Sequence, residues 1–178
     1  MLGFSGPTQV QALREMYDEA IATRDPDSCI SKQPTNFLSA LCPTIVLDDA
    51  EEAFQIGARG QKFFAESIQH WNLGTPLPET VPPEIDIRDA VSDAKEQVEA
   101  FMVEGGHPVP AVAASTSPFN IDHAYGDKND AIEYVTQLQS AGADEIMCIM
   151  QMGGVPHEAA METIRQYGEY VIPHFSDN

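Results

Sequence analysis

Two short stretches carry residue types able to hold or act on a small molecule: Tyr125-Gly126-Asp127, and Gln151-Met152-Gly153-Gly154 with His157 close behind. Both fall where the hydropathy pattern ends a strand and opens a helix. In parallel α/β proteins the ligand site lies beyond the carboxyl ends of the strands, so position rather than residue type selects these candidates. A glycine pair ahead of a helix lets backbone N–H groups approach an anion such as phosphate. His157 could donate a proton or contact a substrate, because its charged and neutral forms are close in energy near neutral pH. Plain turns use two glycines more often than anion sites do, and a histidine at a helix start more often packs against its own turn. His70, His107, His123 and His174 have neither HExxH nor HxH spacing, so no metal is assigned. Cys29, Cys42 and Cys148 are an odd set without CxxC spacing. That argues against a disulfide framework and a zinc site, and leaves three reduced, mostly buried thiols as the expectation. GxSxG, P-loop and GxGxxG patterns are absent, so no catalytic residue is named.

The elements that would position these residues follow from periodicity. After Pro7, apolar residues at Val10, Leu13, Tyr17, Ala20 and Ile21 predict a helix that stops before Asp25-Pro26. The apolar run from Phe37 to Leu47 suits a strand buried on both faces, with Pro43 at odds with its middle. Asp48-Asp49 then caps a helix with Glu51 and Glu52 in its first turn, running through Phe54, Phe63, Phe64 and Ile68 towards Trp71. The prolines between Asn72 and Pro83 predict a loop. A helix with Ala90, Ala94, Val98, Phe101 and Met102 inward follows, then an irregular stretch from Gly105 to Pro118. Phe119 to Tyr125 reads as a short strand, and Ile132, Val135 and Leu138 as the inner face of a helix ended by Gly142. Glu145 to Met152 is the next strand, and Pro156-His157-Glu158 opens a helix through Met161, Ile164 and Val171. Strand, helix, strand, helix implies parallel strands joined by crossover helices, an α/β class.

The 178 residues fit one domain, 1–178. A net charge of −19 would repel nucleic acid and anionic membrane surfaces, and with the acids spread along the chain it speaks to solubility rather than to a cation site. Met1-Leu2-Gly3-Phe4 has no secretory pattern and no apolar run is long enough to span a bilayer, so a cytoplasmic protein is expected.

Several of these segments together resemble a known family. Gly126-Asp127 with Ala131-Ile132 and Val135, then Ala141-Gly142-Ala143-Asp144-Glu145-Ile146, then Gly153-Gly154-Val155-Pro156-His157-Glu158, and finally Val171-Ile172-Pro173-His174-Phe175, are similar in order and spacing to the end of bacterial luciferase-like, flavin-dependent monooxygenases. Upstream, Val46 to Ala53 with Gly57 resembles a strand and acidic helix start of that family, and Leu2-Gly3-Phe4 the end of an earlier strand. The resemblance implies a (β/α)8 TIM-type barrel binding reduced FMN, or in some relatives the deazaflavin F420, with O2 and a small organic substrate at its C-terminal face. A whole barrel needs about 250 residues, so the chain would be a partial barrel resembling the C-terminal half. Family members carry most flavin contacts in the strands without a counterpart here, so no flavin contact is transferred. The resemblance thus implies part of a monooxygenase needing either a complementary N-terminal half-barrel chain or homo-oligomerisation. The alternatives are a non-catalytic remnant acting as an assembly module and an F420-dependent oxidoreductase.

Overall fold

The structure, a computed structural model, describes residues 6–74, 76–89 and 125–176. The expected helix around Ala90 to Met102, the stretch Gly105 to Pro118, Phe119 to Ala124 of the expected strand, and Leu2-Gly3-Phe4 lie outside them, as do His107 and His123. Helix α1 spans Pro7–Thr23, with Gly6 as N-cap and Pro7 in the first turn, where its missing N–H costs nothing. Only Val10 of its apolar face is buried. The helix is held instead by polar ties: the Arg14 guanidinium meets the Asp144 carboxylate at 3.0 Å, and Tyr17 donates to the Thr35 carbonyl.

The apolar run after Phe37 forms two strands rather than one: β1 (Ser39–Pro43) and β2 (Ile45–Val46), divided at Thr44. Helix α2 (Ala50–Leu73) follows, capped by Asp49, whose carboxylate accepts from the N–H groups of Glu51 and Glu52. Gly74 ends it in the left-handed conformation, φ +70°. The remaining elements are β3 (Tyr125–Gly126), α3 (Lys128–Ser140), β4 (Glu145–Ile149) and α4 (His157–Gln166). A π-helical turn, Tyr167–Val171, then leads into α5 (Ile172–Ser176). Pro173 cannot donate to a preceding carbonyl, and the widened turn comes just before it, with Ile172 N–H reaching back to the Tyr167 carbonyl.

Both ladders are parallel, as the alternation predicted. Ser39 to Pro43 pair with Glu145 to Ile149, and Ile45-Val46 with Tyr125-Gly126. The partner changes at Thr44, and backbone geometry gives the reason. Successive residues of a strand aim their N–H and C=O groups at opposite edges. Thr44 N–H bonds the Ile149 carbonyl at 2.9 Å, whereas Leu47 N–H bonds the Gly126 carbonyl at 3.1 Å, so β4 and β3 flank the 39–47 segment on opposite sides. The expected strand from Glu145 to Met152 is therefore cut short at Ile149, because β1, its partner, has ended. Val46 N–H points towards the side β4 has left, and the Thr163 hydroxyl of α4 accepts it at 3.0 Å while donating to the Ala159 carbonyl at 2.8 Å. Thr163 is fully buried. Thr163→Val keeps the shape and strands that N–H, so it should cost about 1–3 kcal/mol in urea denaturation, with no change in m-value.

Leu38, Ala40, Cys42 and Ile45 build the core with Ala53 and Ala58 of α2 and Tyr134 and Leu138 of α3. A second cluster joins Val46 and Ala131 to Tyr167 and Val171. On α3 the fully buried positions are Ala131, Tyr134 and Leu138, with Ile132 and Val135 only partly covered. On α4 the small residues Ala159, Ala160 and Thr163 face inward, while Met161 and Ile164 are about half exposed. β4 is the least covered strand. Met147 is 46% exposed, and among the described residues only one edge of β4 is paired. No helix of the described residues is long and apolar enough to cross a membrane.

Candidate functional site

Because the strands are parallel, Leu47-Asp48-Asp49 after β2, Asp127 after β3 and Gln151 to Gly154 after β4 all lie at one end of the sheet, together with the N-terminus of α4. Two cavities open there. One, of about 570 Å3, is acidic, with Asp48, Asp49, Glu52, Glu158 and Glu162 in its wall. The other, of about 730 Å3, lies between Ile56, Arg59 and Phe63 of α2, the Val81-Pro82-Pro83 segment and Gly153-Gly154. Its size is that of a small-molecule site, and its wall is apolar apart from Arg59, Thr80 and backbone.

The sequence candidates divide between structural duties and this cavity. Tyr125 is buried, its hydroxyl donating to Gln61 Oε1 at 2.5 Å, and burial raises its pKa well above the ordinary tyrosine value. Gly126 sits against Asp130: a Cβ at 126 would lie 2.3 Å from the Asp130 carboxylate. Asp127 caps α3 by accepting from Asn129 and Asp130 N–H, and Asp130 accepts in return from Asp127 N–H at 2.8 Å, a reciprocal capping box. Tyr125 fastens β3 to α2, Gly126 and Asp127 fasten it to α3, and none of the three lines either cavity. Gln151 donates to the Val155 carbonyl at 2.9 Å, closing the turn after β4. In that turn Gly153 has φ +55° and its Cα packs onto Gly60 of α2, where a Cβ would meet the Gly60 carbonyl at 2.4 Å. Gly154 has open space around it, on the cavity wall. His157 is the exposed first residue of α4 and lines neither cavity. Gly153 and Gly154 are thus the sequence candidates that the fold brings to a cavity.

The structure adds Arg59, which sequence reasoning passed over. Its guanidinium bonds the carbonyls of Gln55, Pro83 and Ile85, and its buried Nε has no partner. Among the described residues it faces no carboxylate within ion-pair distance. A cation held by backbone carbonyls, without a counter-ion among the described residues, beside a glycine turn fits the anionic end of a ligand whose body meets Ile56, Phe63 and the prolines. The only sequence signal for it was its place on α2, next to Gly60 and one turn before Phe63. No cluster of His, Cys, Asp and Glu suited to a metal occurs among the described residues.

No model of a known protein family matches the sequence, and no curated protein matches it. Solved structures do match in fold. The monooxygenase RslO1 from Streptomyces bottropensis aligns with TM-score 0.51 and 15% identity, over 99% of this chain and 41% of that one. The coenzyme F420-dependent tetrahydromethanopterin reductase from Methanopyrus kandleri aligns with TM-score 0.51 and 17% identity, over 97% of this chain and 44% of that one. At this identity the likeness shows the fold alone, which is that of part of a (β/α)8 TIM-type barrel. The chain spans less than half the length of either.

Proposed function

We propose that this chain, a single folding domain, is the C-terminal part of a luciferase-like, flavin-dependent oxidoreductase that acts on a small organic substrate with reduced FMN and O2, and that it takes up cofactor once a complementary N-terminal half-barrel is in place. The observation that carries this reading is the alignment with nearly all of this chain and under half of each neighbour, joined to a last strand that is paired along one edge only among the described residues. A flavin bound in the completed barrel would supply the redox chemistry. In this chain the Arg59 cavity, with the Gly153-Gly154 turn, is where an anionic group of cofactor or substrate would rest, with Gln151 and His157 nearby along the chain.

Two titrations test it. The isolated chain should bind FMN weakly, with a dissociation constant well above ~1 μM, and the same chain co-expressed with the N-terminal portion of a luciferase-like barrel should bind at least ~100-fold more tightly. Unchanged weak binding in the completed assembly would favour a non-catalytic assembly module instead. Running F420 beside FMN separates the two cofactors, a comparison prompted by the reductase neighbour. In the assembly, Arg59→Gln should weaken FMN by about 10-fold, the value of one charge-assisted contact, and leave riboflavin, which lacks the phosphate, within about 2-fold. Equal losses for both would remove Arg59 from the site.

A further inference from the structure

Cys42 and Cys148 are 106 positions apart in sequence, and the fold sets them opposite one another in the parallel β1–β4 ladder, as direct register partners. Neighbouring strands lie about 4.8 Å apart, and register partners project from the same face of the sheet. That spacing is inside the roughly 4.4–6.8 Å Cα separation that disulfides span. Two hydroxyls gather at the same place. Thr44 Oγ1 donates to Cys42 Sγ at 3.4 Å, and the side chains of Thr44 and Tyr167 are both within bonding reach of the Cys148 thiol. Cys42 is fully buried, whereas Cys148 lines an apolar groove of about 660 Å3 between β4, α3 and the C-terminal helices, with Tyr167 beside it. One thiol is therefore reachable from solvent and the other stands directly behind it. β4 is paired along one edge only among the described residues, so it can yield the small shift that closing a bond requires.

We propose that Cys42 and Cys148 form an oxidation site for hydroperoxides, closing to an intrachain disulfide across β1 and β4. The Cys148 sulfur attacks one peroxide oxygen, the O–O bond breaks, and the products are the Cys148 sulfenic acid and water. The Cys42 sulfur then attacks that sulfenic sulfur, forming the S–S bond and releasing the oxygen as a second water with the Cys42 proton. Overall two thiols and one hydrogen peroxide give one disulfide and two waters, each sulfur losing one electron to the peroxide. Burial pushes the Cys42 thiol up to about 12 and raises that of Cys148, which keeps both protonated and makes the first step slow. The second step is favoured by register, since the resolving thiol is already in place. The thiol pair needs nothing from a flavin or a partner chain.

The test treats the full chain with graded hydrogen peroxide, blocks remaining thiols with N-ethylmaleimide, and reads intact mass and peptide maps. The expected product has lost two hydrogens, carries one maleimide, on Cys29, instead of three, and yields a linked peptide pair containing Cys42 and Cys148 that dithiothreitol separates. Its urea midpoint should exceed that of the reduced chain. Cys42→Ser should abolish the mass loss and leave Cys148 as sulfenic or sulfinic acid. Three maleimides at peroxide levels that oxidise free cysteine, linkage only between Cys29 of separate chains, or wild-type Cys148 passing to sulfinic acid without a bridge would each overturn the proposal. The wild-type map decides even if the variant does not fold.

Discussion

Gly57→Val should lower the melting temperature by roughly 5–10 °C, while Gly154→Ala leaves it within about 2 °C, although both change a glycine near the sheet's C-terminal end. The difference lies in what a side chain would meet. A Cβ at Gly57 would lie 2.2 Å from Cδ1 of Tyr125 and 2.6 Å from its Cγ, inside the ring rather than beside a flexible tip. The ring cannot retreat, since its hydroxyl is fixed to Gln61 Oε1 and its backbone is in the ladder with Ile45. Valine forces α2 away from β3 or breaks the Tyr125–Gln61 bond inside the core, at a cost of order 2–3 kcal/mol. Around Gly154 nothing lies within 4 Å of the built Cβ and φ is not left-handed, so alanine only trims the entropy of the unfolded chain. Differential scanning calorimetry of the two variants checks both. A Gly57→Val protein melting with the parent would mean that α2 and β3 are not in contact.

That contact marks the boundary of what the sequence discloses. Local features were legible because their physics is local: Asp49 as a helix cap, Gly142 at φ +98° beyond α3, the buried run ending at Leu47, and parallel strands from alternation. The resemblance around Gly126 to Phe175 anticipated the partial barrel fold that the solved structures share. Long-range facts were hidden. Periodicity cannot reveal that Tyr125 packs into α2 beside Gly57, that Arg59 faces the Gly153-Gly154 turn, or that Cys42 meets Cys148, because each joins segments far apart in the chain. The same limit explains the candidates at β3. Tyr125, Gly126 and Asp127 sit at the end of a strand, where ligand sites gather, but Tyr125 ties the short β3 to α2 while Gly126 and Asp127 tie it to α3.

The second large effect concerns association, and it follows from the open side of β4. Among the described residues its second edge has no ladder partner, and edges left with unpaired N–H and C=O groups pair with whatever strand is offered. Beside it, Ile164 and Ile172 are 52% and 58% exposed on the groove that also holds Ile146, Val135 and Phe175. In the two structural neighbours more than half of the chain has no counterpart here, and a closed barrel has no free edges. Without that completion the chain should associate with itself, burying above ~1,000 Å2 in a stable dimer. The net charge of −19 opposes this at low salt, because like-charged chains repel over the ~30 Å Debye length of a 0.01 M solution. At 1 M salt the range falls to about 3 Å, leaving apolar burial to decide. Light scattering should therefore give mass rising with salt, and a dimer dissociation constant falling below ~100 μM, about −5.5 kcal/mol, at the high end. Ile164→Lys with Ile172→Lys should abolish the rise while leaving the far-ultraviolet circular dichroism unchanged, since both side chains are more than half exposed. A monomer at every salt concentration would mean that the chain covers its own edge, and the need for a completing half-barrel would fall with it.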